Sequence, residues 1–202
     1  MAQITVERDV NGIEGLHVIT PAVHGDMRGY FMETYNLKDM QEAGIDTIFV
    51  QDNQSCSSKG VLRGLHFQKD YPQTKLVRVI RGSVYDVAVD IRPGSPTYGK
   101  YHGEILSEEN KKQFLIPRGF AHGFLVLSDL AEFVYKCDDF YHPNDEGGLA
   151  WNDPGIGIVW PEVFGEYPGN ADASGYKMSD GTPLKLSEKD RKWLTLSDAS
   201  KQ

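Results

Sequence analysis

Turn-forming residues recur at short intervals along the whole chain, and they constrain its fold more than any other feature. The 202 residues include 21 glycines and 10 prolines. Short runs rich in valine, isoleucine, phenylalanine and tyrosine lie between them, such as YGKYHGEILS, QFLIP, HGFLVLS and EFVYKCDDFY. Many short strands at this spacing are typical of a β-sandwich or a β-barrel. The sequence therefore predicts a mostly β protein with few helices.

The segment from residue 75 to residue 92, KLVRVIRGSVYDVAVDIR, shows the strand pattern most clearly. Two apolar runs flank Arg81 and Gly82, which predicts a hairpin. Side chains alternate between the two faces of a strand. One face of the second run carries the larger apolar side chains: Tyr85, Val87, Val89 and Ile91. The opposite face carries Val84 and Ala88 together with two carboxylates, Asp86 and Asp90.

Helical patterns are scarce, and one domain accounts for residues 1–202. The run Asn36–Gly44 predicts a short helix that ends at a glycine. The run Leu186–Leu194 predicts a second helix, with Ser187 as N-cap and Asp190 at the capping-box position. Residues 164–183 have no periodicity and predict a long loop. We therefore expect a barrel over about residues 15–161, followed by a long loop and a C-terminal helix within residues 162–202.

Charge and composition exclude several classes of function. The net charge is −8 and no basic run occurs, which argues against a nucleic-acid partner, although a local cluster of cations could still bind a small anion. No apolar run approaches the ~20 residues of a membrane span. The N-terminus MAQITVERDV is charged where a signal peptide is apolar. Cys56 and Cys137 form no disulfide framework, so we expect a reducing, cytoplasmic setting.

Two histidines lie in segments that resemble metal-binding motifs. The segment PRGFAHGF, with His122, has the P-x-G-x-x-H pattern of the second cupin motif. The first cupin motif needs H-x-H followed by a glutamate, and the nearest segment, LHFQKD, has His66 but carries Gln68 at the second position. The next glutamate is the distant Glu104. Because a divalent metal usually needs three protein ligands, we expect no metal site, which leaves the histidines free for acid–base chemistry.

Arg63 and His66 lie in the same predicted strand, VLRGLHFQ. In a regular strand, positions 63 and 66 point to opposite faces. Gly64 lies between them and could allow a bulge that turns both side chains toward one cavity.

Several long motifs, in order, resemble one family. They are HGDMRGYFMETYN, FVQDNQSCSSKGVLRGLHFQ, KLVRVIRGSVYDVAVDIR and SEENKKQFLIPRGFAHGFLVLSDLAEFVYKCDDFYHPNDEGGLAWNDPGIGIVWP. The chain is similar to the dTDP-4-dehydrorhamnose 3,5-epimerases. The resemblance implies a cupin-like double-stranded β-helix, or jelly-roll, barrel. It also implies a dTDP-sugar substrate, no cofactor, and a homodimer with strands exchanged across the interface.

The reaction that the resemblance implies inverts carbons 3 and 5 of a 4-keto sugar. Both carbons are α to the ketone, so loss of either proton gives an enolate that a site can stabilise. Inversion then needs a proton delivered to the opposite face of the ring. The chemistry requires a base on one side, an acid on the other, and a cavity that excludes bulk water.

The family motifs assign roles to particular residues of this chain. His66 matches the base, Tyr135 the acid and Asp190 the carboxylate that orients the histidine. The expected diphosphate contacts are cations: Arg63, Lys75, Arg28 and Lys189. Tyr141 matches a tyrosine that stacks on thymine, and His122 a histidine of the sugar and phosphate pocket. The remaining nucleotide contacts are hydrogen-bonding residues: Gln51, Asp52, Asn53, Glu33 and Glu146. Arg28 and Glu33 are expected to serve the partner's site.

Simpler interpretations stand beside these assignments. Tyr135 alternates with other apolar residues and could fill the core, Asp190 could be only a helix cap, and Arg63 and Lys75 could be surface charges. Asp86 is a second candidate for a place near the base. The segment between residues 161 and 186 is longer than expected for the family, so Lys189 and Asp190 must reach the site across it.

Alternative functions also remain open at this point. Within the fold they are epimerisation at carbon 3 or carbon 5 alone, or a 3,4-ketoisomerase. From other classes they are a metal-dependent cupin isomerase or dioxygenase, and a non-catalytic nucleotide-sugar binding module.

Overall fold

The computed structural model describes residues 3–199, and most of its regular structure is β-strand. The strands are β1 (Ile4–Glu7), β2 (His17–Pro21), β3 (His24–Asp26), β4 (Gly29–Phe31), β5 (Gln51–Ser58), β6 (Leu62–Gln68), β7 (Lys75–Arg81), β8 (Ser83–Asp90), β9 (Tyr101–Ser107), β10 (Gln113–Ile116), β11 (Phe120–Val126), β12 (Leu130–Cys137), β13 (Glu146–Gly148), β14 (Val163–Phe164) and β15 (Lys177–Met178). The helices are α1 (Leu37–Glu42) and α2 (Leu196–Ala199), with 3-10 turns at Val10–Gly12 and Asp190–Lys192.

Two antiparallel sheets pack face to face. The first has the order β1-β2-β10-β7-β12-β5 and the second the order β13-β6-β11-β8-β9. Apolar side chains from both sheets meet between them, with Val77, Phe114 and Phe133 from the first and Val84 and Phe124 from the second. Two short ribbons, β3-β4 and β14-β15, lie outside these sheets. This confirms the mostly β prediction.

The hairpin predicted at Arg81–Gly82 is wrong. β7 pairs with β10 and β12, whereas β8 pairs with β9 and β11, so the chain crosses from one sheet to the other. Gly82 makes the crossing with a φ of +73°, and a Cβ there would lie 2.0 Å from the Leu130 carbonyl oxygen. The apolar residues of β7 and β8 face each other across the core instead of lying side by side.

The predicted alternation along β8 is confirmed, and both of its faces are buried. Val84 and Ala88 belong to the core between the sheets, together with the buried Asp86. Val87 and Val89 pack on the outer side of the second sheet. Residues from the C-terminal quarter of the chain cover this outer side: Trp151, Trp160, Tyr176, Met178, Leu184 and Leu186.

The structure confirms the first predicted helix but not the second. α1 is present, with the Asn36 side chain accepting a hydrogen bond from the Lys38 amide and Gly44 at a φ of +71°. The helix predicted over residues 186–194 is wrong, because only a 3-10 turn forms and Trp193 after it is extended. No helix in the described stretch from residue 3 to residue 199 combines the length and apolarity that crossing a bilayer requires.

The predicted irregularity at Gly64 is present. β11 pairs Phe124 with Arg63 and His122 with His66, so β6 carries one extra residue between these pairs. Phe124 and His122 share a face, and cross-strand partners do too. Arg63 and His66 therefore point to the same side of the sheet, toward the space between the sheets.

The close backbone contact at Gly64 predicts a large effect of Gly64→Ala. Its φ is +111°, and a Cβ would lie 2.6 Å from Gly123 Cα and from the His122 carbonyl oxygen. We expect Gly64→Ala to lower the free energy of unfolding by at least ~3 kcal/mol. Gly12→Ala is the matched control, since Gly12 has a φ of +70° but nothing within 4 Å, and we expect it to cost ~1 kcal/mol. Urea unfolding measures both, and equal losses would contradict the account.

Candidate active site

A cavity of about 210 Å³ opens between the two sheets. His66 reaches it from β6 of the second sheet, and Tyr135 reaches it from β12 of the first. The two side chains therefore flank the cavity from opposite sheets. Its other lining residues are Gln51, Asn53, Phe67, Gln68, Gln73, Lys75, Cys137, Tyr141 and Glu146.

A larger open groove of about 860 Å³ lies away from this cavity, between residues 98–101, residues 153–156 and the start of α2. Its one carboxylate, on Asp153, is already engaged by the backbone amides of Gly155 and Leu196, both at 2.7 Å. The groove therefore offers no histidine and no unengaged carboxylate as a base, and the smaller cavity is the candidate active site.

Asp190 meets His66 directly. His66 Nε2 lies 2.5 Å from Asp190 Oδ1, and because an ionised carboxylate only accepts hydrogen bonds, Nε2 carries the proton. The other ring nitrogen, Nδ1, then has a free lone pair and lies 3.7 Å from Glu146 Oε1. A neutral imidazole in this tautomer accepts a proton at Nδ1.

Ser187 holds Asp190 in position through two hydrogen bonds. The Ser187 hydroxyl donates to Asp190 Oδ2 at 2.8 Å, and the Asp190 amide donates to Ser187 Oγ at 3.2 Å. The capping contact expected from the sequence therefore forms, while the second carboxylate oxygen serves His66. Burial alone would raise the pKa of Asp190, but the hydrogen bond and charge of His66, with help from Ser187 and Lys189, lower it. The carboxylate stays ionised at neutral pH.

Tyr135 is a partly buried phenol at the edge of the core. Its ring lies 6.0 Å from that of Phe133, so it packs partly as the simpler interpretation expected, yet it also lines the cavity. Burial raises the pKa of Tyr135, and neighbouring Cys137 adds to the shift while Arg63 opposes it. The phenol therefore keeps its proton at neutral pH and is available as a proton donor.

The predicted cations occupy different depths. Arg63 is exposed and donates to Ser57 Oγ at 2.9 Å across the gap between the sheets. Lys75 lies inside the cavity, where burial lowers its pKa although Cys137, Asp86 and Glu146 act to raise it. Among residues 3–199, neither cation has a carboxylate within ion-pair distance.

Glu146 ties the C-terminal turn to the cavity rim. Its carboxylate accepts from Lys189 Nζ at 2.6 Å and from the Tyr141 hydroxyl at 3.3 Å. The long segment before residue 186 does not keep this turn away, because the Leu62 amide donates to the Lys185 carbonyl at 3.0 Å. The chain thus returns beside β6 just before Asp190.

Gln68 joins two loops at the cavity mouth. Its amide nitrogen donates to the Tyr71 carbonyl at 2.7 Å, and its oxygen accepts from the His142 amide at 2.7 Å. The residue at the position of the cupin ligand is therefore engaged with backbone groups. No three His, Cys, Asp or Glu side chains converge as a metal-ligand set in the part of the chain that the structure describes.

Asp86 does not meet the base, contrary to the second candidate role considered for it. The side chain pairs instead with His122, whose Nε2 lies 2.9 Å and 3.0 Å from the two carboxylate oxygens. Both side chains are buried. Burial raises the pKa of Asp86, while His122 and Lys75 oppose that shift. His122 itself lines a narrow cleft that adjoins the cavity along Phe67, Gln68 and Lys75.

Like Arg63, His122 and Lys189, three further predicted contact residues do not line the cavity of this chain. Asp52 points to the opposite face of β5 from Gln51 and Asn53 and pairs with Lys136 at 2.8 Å. Arg28 lies on the exposed β3-β4 ribbon and pairs with Asp26. Glu33 accepts a hydrogen bond from Asn36 at 3.1 Å.

Sequence reasoning missed three residues near the base. Phe67 and Gln73 line the cavity, and Trp193 lies with its ring centroid 6.2 Å from that of His66. The position of Trp193 three residues after Asp190 was the one available signal, since a single turn carries both.

Comparison with known proteins identifies the family of the chain. The family model for dTDP-4-dehydrorhamnose 3,5-epimerase matches residues 11–198. The chain belongs to this family. The dTDP-4-dehydrorhamnose 3,5-epimerase of Methanothermobacter thermautotrophicus is 51% identical over 186 residues, which cover 92% of each chain.

Solved structures of the epimerase family have the same fold. The dTDP-6-deoxy-D-glucose-3,5-epimerase of Legionella pneumophila, in complex with dTDP-4-keto-L-rhamnose, matches with a TM-score of 0.83 and 47% identity, covering 96% of this chain and 93% of that one. A 3'-monoepimerase of Streptomyces bikiniensis, in complex with dTDP-quinovose, matches with a TM-score of 0.79 and 31% identity, covering 93% and 87%.

Proposed function

We propose that this chain is an isomerase that converts dTDP-4-dehydro-6-deoxy-D-glucose to dTDP-4-dehydro-L-rhamnose, by inverting carbons 3 and 5 of the sugar. The observation that carries the proposal is the placement of His66 and Tyr135 on facing sheets across one cavity. An inversion by proton transfer needs this placement, because the proton leaves one face of the ring and returns to the other.

The base in this proposal is His66 Nδ1. It removes the proton from a carbon α to the ketone, and the electron pair of the C–H bond moves into the enolate. The imidazolium that forms is stabilised by Asp190 at Nε2 and by the Glu146 carboxylate near Nδ1. The Tyr135 hydroxyl then donates its proton to the opposite face of the same carbon. His66 then releases its proton to water and the Tyr135 phenolate takes one up, which restores the base and the acid. Carbons 3 and 5 flank the ketone, so the restored pair serves both.

Two cations at different depths fit the two negative charges of the reaction. Arg63 is exposed outside the cavity lining and, among residues 3–199, its side chain donates hydrogen bonds to Ser57 alone, which suits the solvated diphosphate. Lys75 lies inside the cavity beside Tyr135 and Cys137, which suits the enolate oxygen, since a cation in a dehydrated site stabilises developing charge strongly. Tyr141 at the mouth offers its ring to thymine, and Gln51 and Asn53 offer amides to the nucleotide.

Double inversion is favoured over single inversion by two observations. The phenol of Tyr135 lines the cavity from the sheet opposite His66, which supports a proton donor for the second face. The identity to the double epimerase of Methanothermobacter, 51%, exceeds the 31% to the monoepimerase of Streptomyces. The acid–base pair also favours an enzyme over a non-catalytic binding module.

A homodimer is the second part of the proposal. The β3-β4 ribbon presents Met27, Tyr30 and Phe31 fully or largely to solvent, and exposed apolar side chains in one patch are typical of a subunit interface. Arg28 lies on the same ribbon and would reach the partner's site, with Glu33 following it. We expect the dimer to work in the cytoplasm, where its two free cysteines would stay reduced.

Incubation of the protein with dTDP-4-dehydro-6-deoxy-D-glucose in deuterated water tests the proposed reaction. We expect deuterium at carbon 3 and at carbon 5, by NMR or mass spectrometry, and an unchanged rate with EDTA present. Label at carbon 3 alone would indicate a single-site epimerase, and loss of activity with EDTA would indicate a metal enzyme. Absence of label would contradict the proposal altogether.

The variant His66→Ala separates catalysis from binding in the same assay. We expect exchange to fall by at least ~10³-fold, because the Glu146 carboxylate on the same wall is already ion-paired with Lys189 and does not replace the imidazole. The Kd for dTDP should stay within a factor of ~3. Loss of dTDP binding would show that His66 is structural.

A mixed dimer tests whether Arg28 acts across the interface. Arg28→Ala and His66→Ala subunits with different tags are expressed together, and the heterodimer is purified. If Arg28 serves the partner's site, one complete site forms and we expect about half the wild-type activity per dimer. A heterodimer no more active than the Arg28→Ala homodimer would contradict this placement.

A further inference from the structure

Trp193 occupies space beside the base that a glycine leaves open. Gly148 of β13 pairs with His66 of β6, so the two residues direct their Cβ positions to the same face. A Cβ added to Gly148 would lie 2.3 Å from Trp193 Cε2 and 2.5 Å from Cδ2 and Nε1. The indole therefore stands where a side chain at position 148 would stand, next to the imidazole.

The contact between the two rings is edge to face. The ring centroids of His66 and Trp193 are 6.2 Å apart, and the planes meet at 70°, which is a favourable geometry for aromatic pairs. The indole Nε1 is buried and has no hydrogen-bond partner among residues 3–199. The position of this side chain therefore depends on the packing of its ring rather than on a polar contact of its own.

One turn of the chain delivers both the carboxylate and the indole. Asp190 opens the 3-10 turn Asp190–Lys192, and Trp193 follows it. The Ala150 amide donates to the Leu194 carbonyl at 2.9 Å, which fixes the end of this segment beside β13. The Asp190 side chain is 3% exposed, whereas that of His66 is 25% exposed. The Asp190 carboxylate is thus shielded from solvent, and hydrogen bonds are stronger in such surroundings.

We propose that Trp193 is a positioning residue, which fills the space above Gly148 and holds the His66 ring with Nε2 toward Asp190 and Nδ1 toward the cavity. This inference rests on the proposed role of His66 as base. The indole touches neither the reacting carbons nor the diphosphate in this account. Its removal should therefore lower the rate of proton abstraction and leave nucleotide binding unchanged.

Steady-state kinetics of three variants test the proposal in the deuterium-exchange assay. We expect Trp193→Ala to lower kcat by ~10- to 100-fold, because a base that is misplaced by about 1 Å loses about this much. KM and the Kd for dTDP should change by less than ~3-fold. Trp193→Phe should restore most of kcat, since a phenyl ring fills much of the same space. Lys192→Ala, an exposed neighbour on the same turn, is the matched control with wild-type kinetics.

Gly148→Ala tests the same space without removing the indole. Its three nearest atoms would all belong to Trp193, so the new methyl group displaces that ring, and we expect a fall in kcat similar to that of Trp193→Ala. In the double variant the methyl group meets no indole, so Gly148→Ala should add less than ~2-fold to the effect of Trp193→Ala.

The outcomes distinguish a failure of the positioning role of Trp193 from a failure of the proposed epimerase function. Wild-type kcat in Trp193→Ala, or independent effects of the two substitutions in the double variant, would overturn the positioning role while the epimerase activity stands. Absence of exchange in the wild-type protein would overturn the proposed function and this inference with it. If Trp193→Ala fails to fold, Trp193→Phe and Gly148→Ala decide the question by the split between kcat and KM.

Discussion

The hydrogen bond between His66 Nε2 and Asp190 Oδ1 joins side chains that are 124 residues apart in sequence, and the candidate site depends on it. The bond fixes which ring nitrogen keeps a free lone pair, and so which atom can take a proton from a substrate. It also requires the C-terminal segment to return to the edge of the second sheet. The hydrogen bond also depends on the backbone irregularity at Gly64, because this irregularity turns His66 and Arg63 toward the space between the sheets.

The long segment before residue 186 is a cover for the second sheet and not a free linker. Trp160 packs edge-on against Tyr85 with ring centroids 5.9 Å apart, and Trp151 packs against Tyr176 at 4.8 Å. The Trp151 indole also donates to the Ala171 carbonyl at 2.9 Å. Burial of these aromatic rings anchors the segment on the outer face of the sheet. The turn with Asp190 and Trp193 therefore starts from a fixed support.

Sequence patterns predicted the parts of this fold that depend on local chemistry. The alternation along β8 and the capped helix after Asn36 follow from side-chain direction and capping, which neighbouring residues decide. The pairing of strands does not follow from neighbouring residues. Side chains alternate with a period of two residues whether two strands share a sheet or face each other from different sheets. β7 and β8 do the latter, with Gly82 at the crossing.

The same distinction between local and long-range contacts applies to the site. Ser187 and Asp190 form the predicted capping contact, but no regular helix follows, since Trp193 is extended at φ −65° and ψ 143° and packs beside His66. Asp52 matched a motif together with Gln51 and Asn53, yet alternation in β5 turns it to the other face of the sheet. The spacing from Asp190 indicates that Trp193 lies near the base, but the space above Gly148 depends on two distant segments, so no pattern in either one could predict that contact.

The central claim is that His66 and Tyr135 act on opposite faces of one enolate. Deuterium exchange and stereochemistry measured together in Tyr135→Phe test it most directly. The account predicts that the variant still exchanges the proton that His66 removes, while the product of inversion falls by at least ~10²-fold because the second face has no donor. Inversion at the wild-type rate in Tyr135→Phe would contradict the account, as would loss of exchange to the level of a protein without His66.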